Sequence, residues 1–195
     1  MIDHVNKIIF IHLEKAGGTS IEKIFTQKEW WHVNNDFLKK ENYDNGHEKH
    51  VNLKYAKIIY KKEFKLYKKI CIVRHPYSLF ISKLNWFNFE GKINAEHIVK
   101  MIMQNEIRWK IKYLHEFLGK KDNYDFIIRF ENYKKDYYKM IESFNFNKDI
   151  FKLIQENKRS DTDIYNEIYL TKEAKEIIRK YSEEYCKIFN YKCEI

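Results

Sequence analysis

The stretch FIHLEKAGGTSIEKIF, Phe10–Phe25, decides how this chain folds. Its start belongs to an apolar run with β-branched residues, Lys7–Leu13, which reads as a short buried strand. Its end, Thr19–Phe25, repeats Ile21, Ile24 and Phe25 at helical spacing, and Thr19 or Ser20 can cap that helix. Between them stand Lys15, Ala16, Gly17 and Gly18. The chain has only five glycines and one proline, so an adjacent pair marks a place that demands backbone freedom. A strand, a glycine turn and a helix start leave N–H groups unpaired beyond the strand's carboxyl end, and such groups favour an anion. Lys15 adds a mobile positive charge, and Thr19 and Ser20 add hydroxyls. The plainer alternative is a strand-to-helix turn that needs glycine for its geometry alone.

Outward from this stretch the pattern repeats. Tyr67–Val73 (YKKICIV) and Asp125–Phe130 (DFIIRF) read as further strands. Pro76 can open the helix after the first of these, because proline is tolerated in a first turn. Asn94–Leu118 carries an apolar helical stripe, and Thr171–Phe189 is amphipathic, with Ala174, Ile177, Ile178, Tyr181 and Tyr185 on one face. Strands alternating with helices predict an α/β fold whose parallel sheet is covered on both sides. The 195 residues predict a single domain over 1–195. No internal repeat or Gly/Ser/Pro linker divides it.

Composition narrows the partners. Apolar residues at 44% and aromatics at 17% argue for a folded globule and against disorder. The net charge of +9, from 37 basic and 28 acidic residues, favours anionic partners: nucleotides, acidic glycans, nucleic acid or anionic lipid. Cys71, Cys186 and Cys193 are odd in number and not closely spaced, which predicts neither a disulfide framework nor a zinc site, with Cys71 a small buried residue. The opening residues lack a signal-peptide pattern, and no apolar run approaches the ~20 residues of a membrane span, so a soluble, cytoplasmic chain with no integral membrane segment is expected.

The glycine loop is not a Walker A motif, which places its lysine after the second glycine. Here Lys15 precedes both. Nor does an acidic residue end a strand where it could hold a metal, which disfavours an ATPase or kinase. A second motif is Val73-Arg74-His75-Pro76 at a strand end, with Ser82 eight residues after Arg74 on the next helix. Such an arginine can grip a phosphate as a bidentate fork. Two anion sites on strand ends suggest a ligand phosphorylated at both ends.

At these residues the chain resembles the sulfotransferases that use 3′-phosphoadenosine 5′-phosphosulfate (PAPS). FIHLEKAGGTS looks like their F-I-H-x-x-K-x-G-G-T-S loop, and VRHPYSLFIS like their V-R-[DN]-P-x-x-R-x-x-S segment. FIIRFENY resembles a following I-x-R-F-E-N-L strand, and YSEEYCKIFNY the closing Y-x-x-D-x-x-x-F-G-Y. The four pieces stand in family order from Lys7 to Tyr191 and look most like the carbohydrate, heparan 2-O-sulfotransferase branch with its small bacterial members. The resemblance implies a P-loop-NTPase-like three-layer fold, with a small central parallel sheet flanked by helices. It implies sulfuryl transfer from PAPS to an acceptor hydroxyl, with a glycan favoured, 3′,5′-ADP as product and no metal.

Carried over by position, Lys15, Ala16, Gly17, Gly18, Thr19 and Ser20 would hold the 5′-phosphosulfate, and Arg74 and Ser82 the 3′-phosphate. Lys158, Arg159 and Ser160 match a loop that closes over the cofactor. Lys15 would also serve catalysis. The base of the heparan members is a histidine shortly before the arginine strand; His50, opening HVNLKYAK, matches best, with His47 the alternative. His12 is expected to be structural, and Glu22 to act on the helix start. Glu14 replaces a usual proline, His75 a usual Asp or Asn, Leu79 a frequent arginine and Asn190 a terminal glycine. Two other readings remain: a P-loop-like nucleotide kinase needing ATP and magnesium, and a basic nucleic-acid-binding module. The second lacks any RNP or helix-turn-helix pattern. Trp30, Trp31, Trp86 and Trp109 could stack on a sugar or lie in the core.

Overall fold

The computed structural model describes residues 1–26, 50–86, 95, 96, 99, 100, 113–153 and 170–194. In chain order come β1 (Ile2–Asp3), β2 (Ile8–Ile11), α1 (Gly18–Thr26), α2 (Leu53–Ile59), α3 (Glu63–Leu66) and β3 (Lys68–Val73). Then follow α4 (Pro76–Trp86), α5 (Leu114–Leu118), β4 (Phe126–Arg129), α6 (Tyr133–Ser143) and α7 (Lys172–Phe189). The chain is α/β, with one four-stranded sheet in the order β1-β2-β3-β4 among the described residues.

β2, β3 and β4 are parallel, in a register that sets Phe10 beside Ile70 and Cys71 beside Ile127. β1 is antiparallel to β2, with Ile2 opposite Ile9, so the sheet is mixed where the sequence predicts a parallel one. A strand of two residues carries no readable alternation, and β1 passes unnoticed for that reason. All four residues of β2 and the last four of β3 are buried, as expected of central parallel strands.

The helix start after β2 differs from its expectation. Gly18 itself opens α1, so Thr19 and Ser20 fall within the first turn and neither is the cap. Asn52 caps α2 by accepting from the Tyr55 N–H at 2.9 Å, which fixes the chain two residues after His50. Thr171 caps α7 in the same way, accepting from Ala174 N–H at 3.1 Å. Such caps contribute about 1 kcal/mol each. Of Asn94–Leu118 the described part is helical at 95, 96, 99 and 100 and through α5, with a turn at Tyr113; the rest lies outside the described residues.

The chain divides into two compact units. The first is Met1–Val73 with Phe117–Lys158 and holds the whole sheet. The second is Arg74–Glu116 with Arg159–Ile195, in which α4 and α7 pack together. Leu79, Phe80 and Leu84 of α4 and Ala174, Ile178 and Phe189 of α7 are buried there. Among the described residues no helix is long and apolar enough to cross a membrane.

Candidate functional site

In the first unit β2 delivers His12 and Leu13, both buried, into the glycine loop. The Ala16 N–H donates to the Leu13 carbonyl at 3.3 Å and closes a turn. Lys15 (φ 62°) and Gly17 (φ 86°) both adopt left-handed backbone. Lysine pays a steric penalty there, of the kind that clusters at ligand clamps, and turns of this sort gather N–H groups into an anion-binding concavity. The Tyr133 hydroxyl donates to the Gly17 carbonyl at 3.2 Å and fastens the loop to α6. The same hydroxyl bonds Ser20, and burial pushes its pKa well up. Ser20 and Ala16 are buried, while Glu14, Lys15 and Thr19 are half-buried.

Gly17 and Gly18 meet different neighbours. A Cβ on Gly17 would lie 3.1 Å from the Phe130 ring, and one on Gly18 would lie 2.2 Å from Cδ2 and 2.3 Å from Nε2 of His12. His12 is buried, and its Nδ1 donates to Glu22 Oε1 at 2.6 Å. Glu22 is therefore the buried partner of His12, and not the free helix-start charge expected from the sequence. A carboxylate buried to 3% exposure requires such a partner.

His50 lies against this pair. Its ring is tilted on that of His12 at 4.4 Å between centroids, and its Nδ1 donates to the His12 carbonyl at 2.9 Å. A carbonyl can only accept, so the proton belongs on Nδ1, and Nε2 carries the basic lone pair. A histidine 9% exposed with its tautomer set in this way suits a general base. His47 lies outside the described residues, as do Trp30, Trp31, Trp109, Lys158, Arg159 and Ser160.

In the second unit Arg74 follows β3 directly. Its N–H donates to the Tyr185 hydroxyl at 3.1 Å, and that hydroxyl donates back to the Arg74 carbonyl at 3.0 Å. The Arg74 Nε donates to Ser78 Oγ at 3.1 Å, which orients the guanidinium over the first turn of α4. Ser82, half-buried, is four residues further along and so shares a face with Ser78. Leu79 is fully buried, so the side chain at this usual arginine position serves the core of the unit. His75 accepts at Nδ1 from the Tyr77 N–H at 3.3 Å and donates from Nε2 to the Lys192 carbonyl at 3.1 Å.

Three contributors were missed from the sequence. Ser78 could have been found from its place between Arg74 and Ser82 on one helical face. Tyr133 and Tyr185 stand inside the quoted FENY and YSEEYC segments, but nothing in their spacing reveals a bond to Gly17 or Arg74. The cysteine reading needs correction as well: Cys186 and Cys193 form a disulfide, with Cα atoms 6.7 Å apart. Asn190, left-handed at φ 54°, turns the chain back over the last turn of α7 and brings them together. Cys71 is free and buried, as expected.

A model of the sulfotransferase family matches residues 1–115, which span the glycine loop, His50, Arg74 and Ser82. No curated protein and no solved structure matches the chain.

Proposed function

Because this chain belongs to the sulfotransferase family, we propose that it transfers the sulfuryl group of PAPS to an acceptor hydroxyl, on a carbohydrate. One observation carries the reading: a glycine loop with left-handed Lys15 and Gly17 follows the buried strand β2 and leads into α1. That loop suits an anion, and ligands in α/β sheets bind beyond strand carboxyl ends. In this reading Lys15 and the amides from Ala16 to Ser20 take the 5′-phosphosulfate. Arg74, oriented by Ser78, takes the 3′-phosphate with Ser82, and Lys158, Arg159 and Ser160 close over the nucleotide. The P-loop-like layering and the heparan-type branch belong to the same proposal.

When bound, PAPS supplies an activated sulfuryl group whose leaving oxygen gains negative charge during transfer. The loop amides are fixed donors for such charge, requiring no reorganisation, and Lys15 adds its ammonium to them. His50 accepts the acceptor's hydroxyl proton at Nε2, while its Nδ1–H stays on the His12 carbonyl. Glycine at 17 gives the loop its left-handed turn, and glycine at 18 makes room for the His12 ring behind it.

The test is a thermal-shift series without magnesium, followed by sulfate transfer from labelled PAPS over an acceptor panel. A ligand that binds only the native state raises the melting temperature, so 3′,5′-ADP should raise it more than AMP or ATP. Equal shifts from AMP and 3′,5′-ADP would remove the 3′-phosphate site from the proposal. His50→Ala should keep its affinity for 3′,5′-ADP yet lose roughly 10²–10⁴ in turnover. Normal turnover in His50→Ala with collapse in His47→Ala would move the base to His47. A magnesium-dependent preference for ATP would favour the kinase reading.

A further inference from the structure

We propose that Glu22 and His12 form a positioning pair that holds both the base His50 and the glycine loop in register. The inference rests on the sulfotransferase reading and adds to it two residues that touch neither cofactor nor acceptor. The contacts of His12 with Glu22, Gly18, His50 and Phe10 each do something different. Its Nδ1–H is committed to Glu22 Oε1 at 2.6 Å, which fixes the ring plane. Its Cδ2–Nε2 edge fills the space where Gly18 would otherwise carry a Cβ, so the start of α1 rests on the imidazole. Its backbone carbonyl takes the Nδ1–H of His50 at 2.9 Å. Its ring stacks on Phe10 at 5.4 Å and lies against His50, tilted, at 4.4 Å.

Glu22 supplies the anchor. Helix α1 carries it four residues after Gly18, one turn on, so the carboxylate returns to the ring that supports Gly18. Both side chains are nearly inaccessible, at 4% and 5% exposure. Away from water each partner needs the other, and a displaced ring would leave a buried carboxylate unpaired. Glu22 thus fixes His12, and His12 fixes Gly18 on one side and His50 on the other. The tautomer that leaves Nε2 of His50 basic depends on a carbonyl held by this arrangement. A misplacement of about 1 Å at a reacting group costs on the order of 10²-fold in rate, so loosening the pair should slow turnover without removing any group that touches substrate.

Three variants separate positioning from mere folding. His12→Asn keeps a donor near the Nδ1 position and keeps the backbone carbonyl, but loses the ring edge under Gly18 and beside His50. Glu22→Ala removes the acceptor, and Glu22→Gln restores a neutral one of the same shape. Melting temperature, 3′,5′-ADP affinity, kcat and the ¹⁵N ring shifts of His50 are measured on each. The wild type should show a His50 protonated at Nδ1, and His12→Asn and Glu22→Ala should show averaged tautomers. In both, kcat should fall about 10–100-fold, the range for losing an orienting partner of a functional histidine, while 3′,5′-ADP affinity, which the slackened glycine loop also lowers, falls by a clearly smaller factor. Glu22→Gln should recover most of the rate. Unchanged His50 shifts and wild-type kcat in His12→Asn would overturn the pair. So would a fall in kcat matched by an equal fall in 3′,5′-ADP affinity. Should Glu22→Ala fail to fold, His12→Asn and Glu22→Gln carry the test. If the wild type transfers no sulfate at all, the proposed function fails, while the His50 ring shifts still decide whether the pair sets its tautomer.

Discussion

Gly17 and Gly18 look interchangeable in the sequence, yet they meet separate demands. Gly17 is needed for its backbone, at φ 86°, and for the Phe130 ring beside it. Gly18 has ordinary helical backbone and is needed because His12 occupies its Cβ space from inside the fold. The sequence shows that the pair is special but assigns both residues to the anion; the reason for Gly18 lies six residues upstream, across a turn. Gly18→Ala should therefore destabilise through overpacking, by about 1–3 kcal/mol. Gly17→Ala should cost about 1–2 kcal/mol for its left-handed backbone, plus the crowding at Phe130. Urea midpoints of Gly18→Ala, His12→Asn and the double variant check the cause. If His12 is the obstacle, the double variant is more stable than the two single losses added together predict, because contacting residues are not additive. Strict additivity would place the strain elsewhere.

At the scale of elements, strands were legible because β2 and β3 are buried on both faces and read as apolar runs, and their ends were misjudged by only a few residues. Helix α7 was legible from its stripe, while its Thr171 cap came with the structure. The crosslink at its end was not, since bridging depends on three-dimensional reach and not on cysteine count. Asn190 takes the left-handed conformation where a glycine is usual, and the consequence, the return of Cys193 over Cys186, needed the structure. The turn also lays the tail on the arginine loop of its own unit: Tyr191 meets the His75 ring edge-on at 5.5 Å, and the Lys192 carbonyl accepts from His75. Closing so short a loop stabilises by about 2–3 kcal/mol in the chain-entropy account. Reduction with dithiothreitol, or Cys193→Ser, should lower the denaturation midpoint accordingly and speed hydrogen exchange at residues 191–194. Equal midpoints with and without reductant would mean that the tail is held by its polar contacts alone.

Across the molecule, composition indicated a folded, basic chain but could not say where its charges act. One cluster sits at the amino ends of β3 and β4, opposite the strand end that leads into the glycine loop. Asp125 accepts from the Lys69 N–H at 2.8 Å and from Lys69 Nζ at 3.1 Å, with Lys68 Nζ at 3.9 Å. In return the Asp125 N–H donates to the Lys69 carbonyl at 2.8 Å, so this carboxylate helps to start the β3–β4 pairing. Partial burial opposes its charge, but the Lys69 bonds and both lysine charges prevail and hold its pKa below the usual aspartate value. With a folded pKa below the unfolded one, near ~3.9, the unfolded chain binds more protons in the interval between them. The contribution is then complete above the unfolded value and disappears as pH falls through the folded one. Asp125→Asn should lower the urea midpoint at pH 7, and the gap from wild type should close as pH drops below about 4. The gap at pH 7 should also shrink with added salt, since the carboxylate is 30% exposed and its lysine partners are partly screened. The affinity for 3′,5′-ADP should not change, because the glycine loop leaves the other end of the strands. A gap that stays constant down to pH 3 would assign the effect to the lost backbone hydrogen bond and not to the carboxylate's charge.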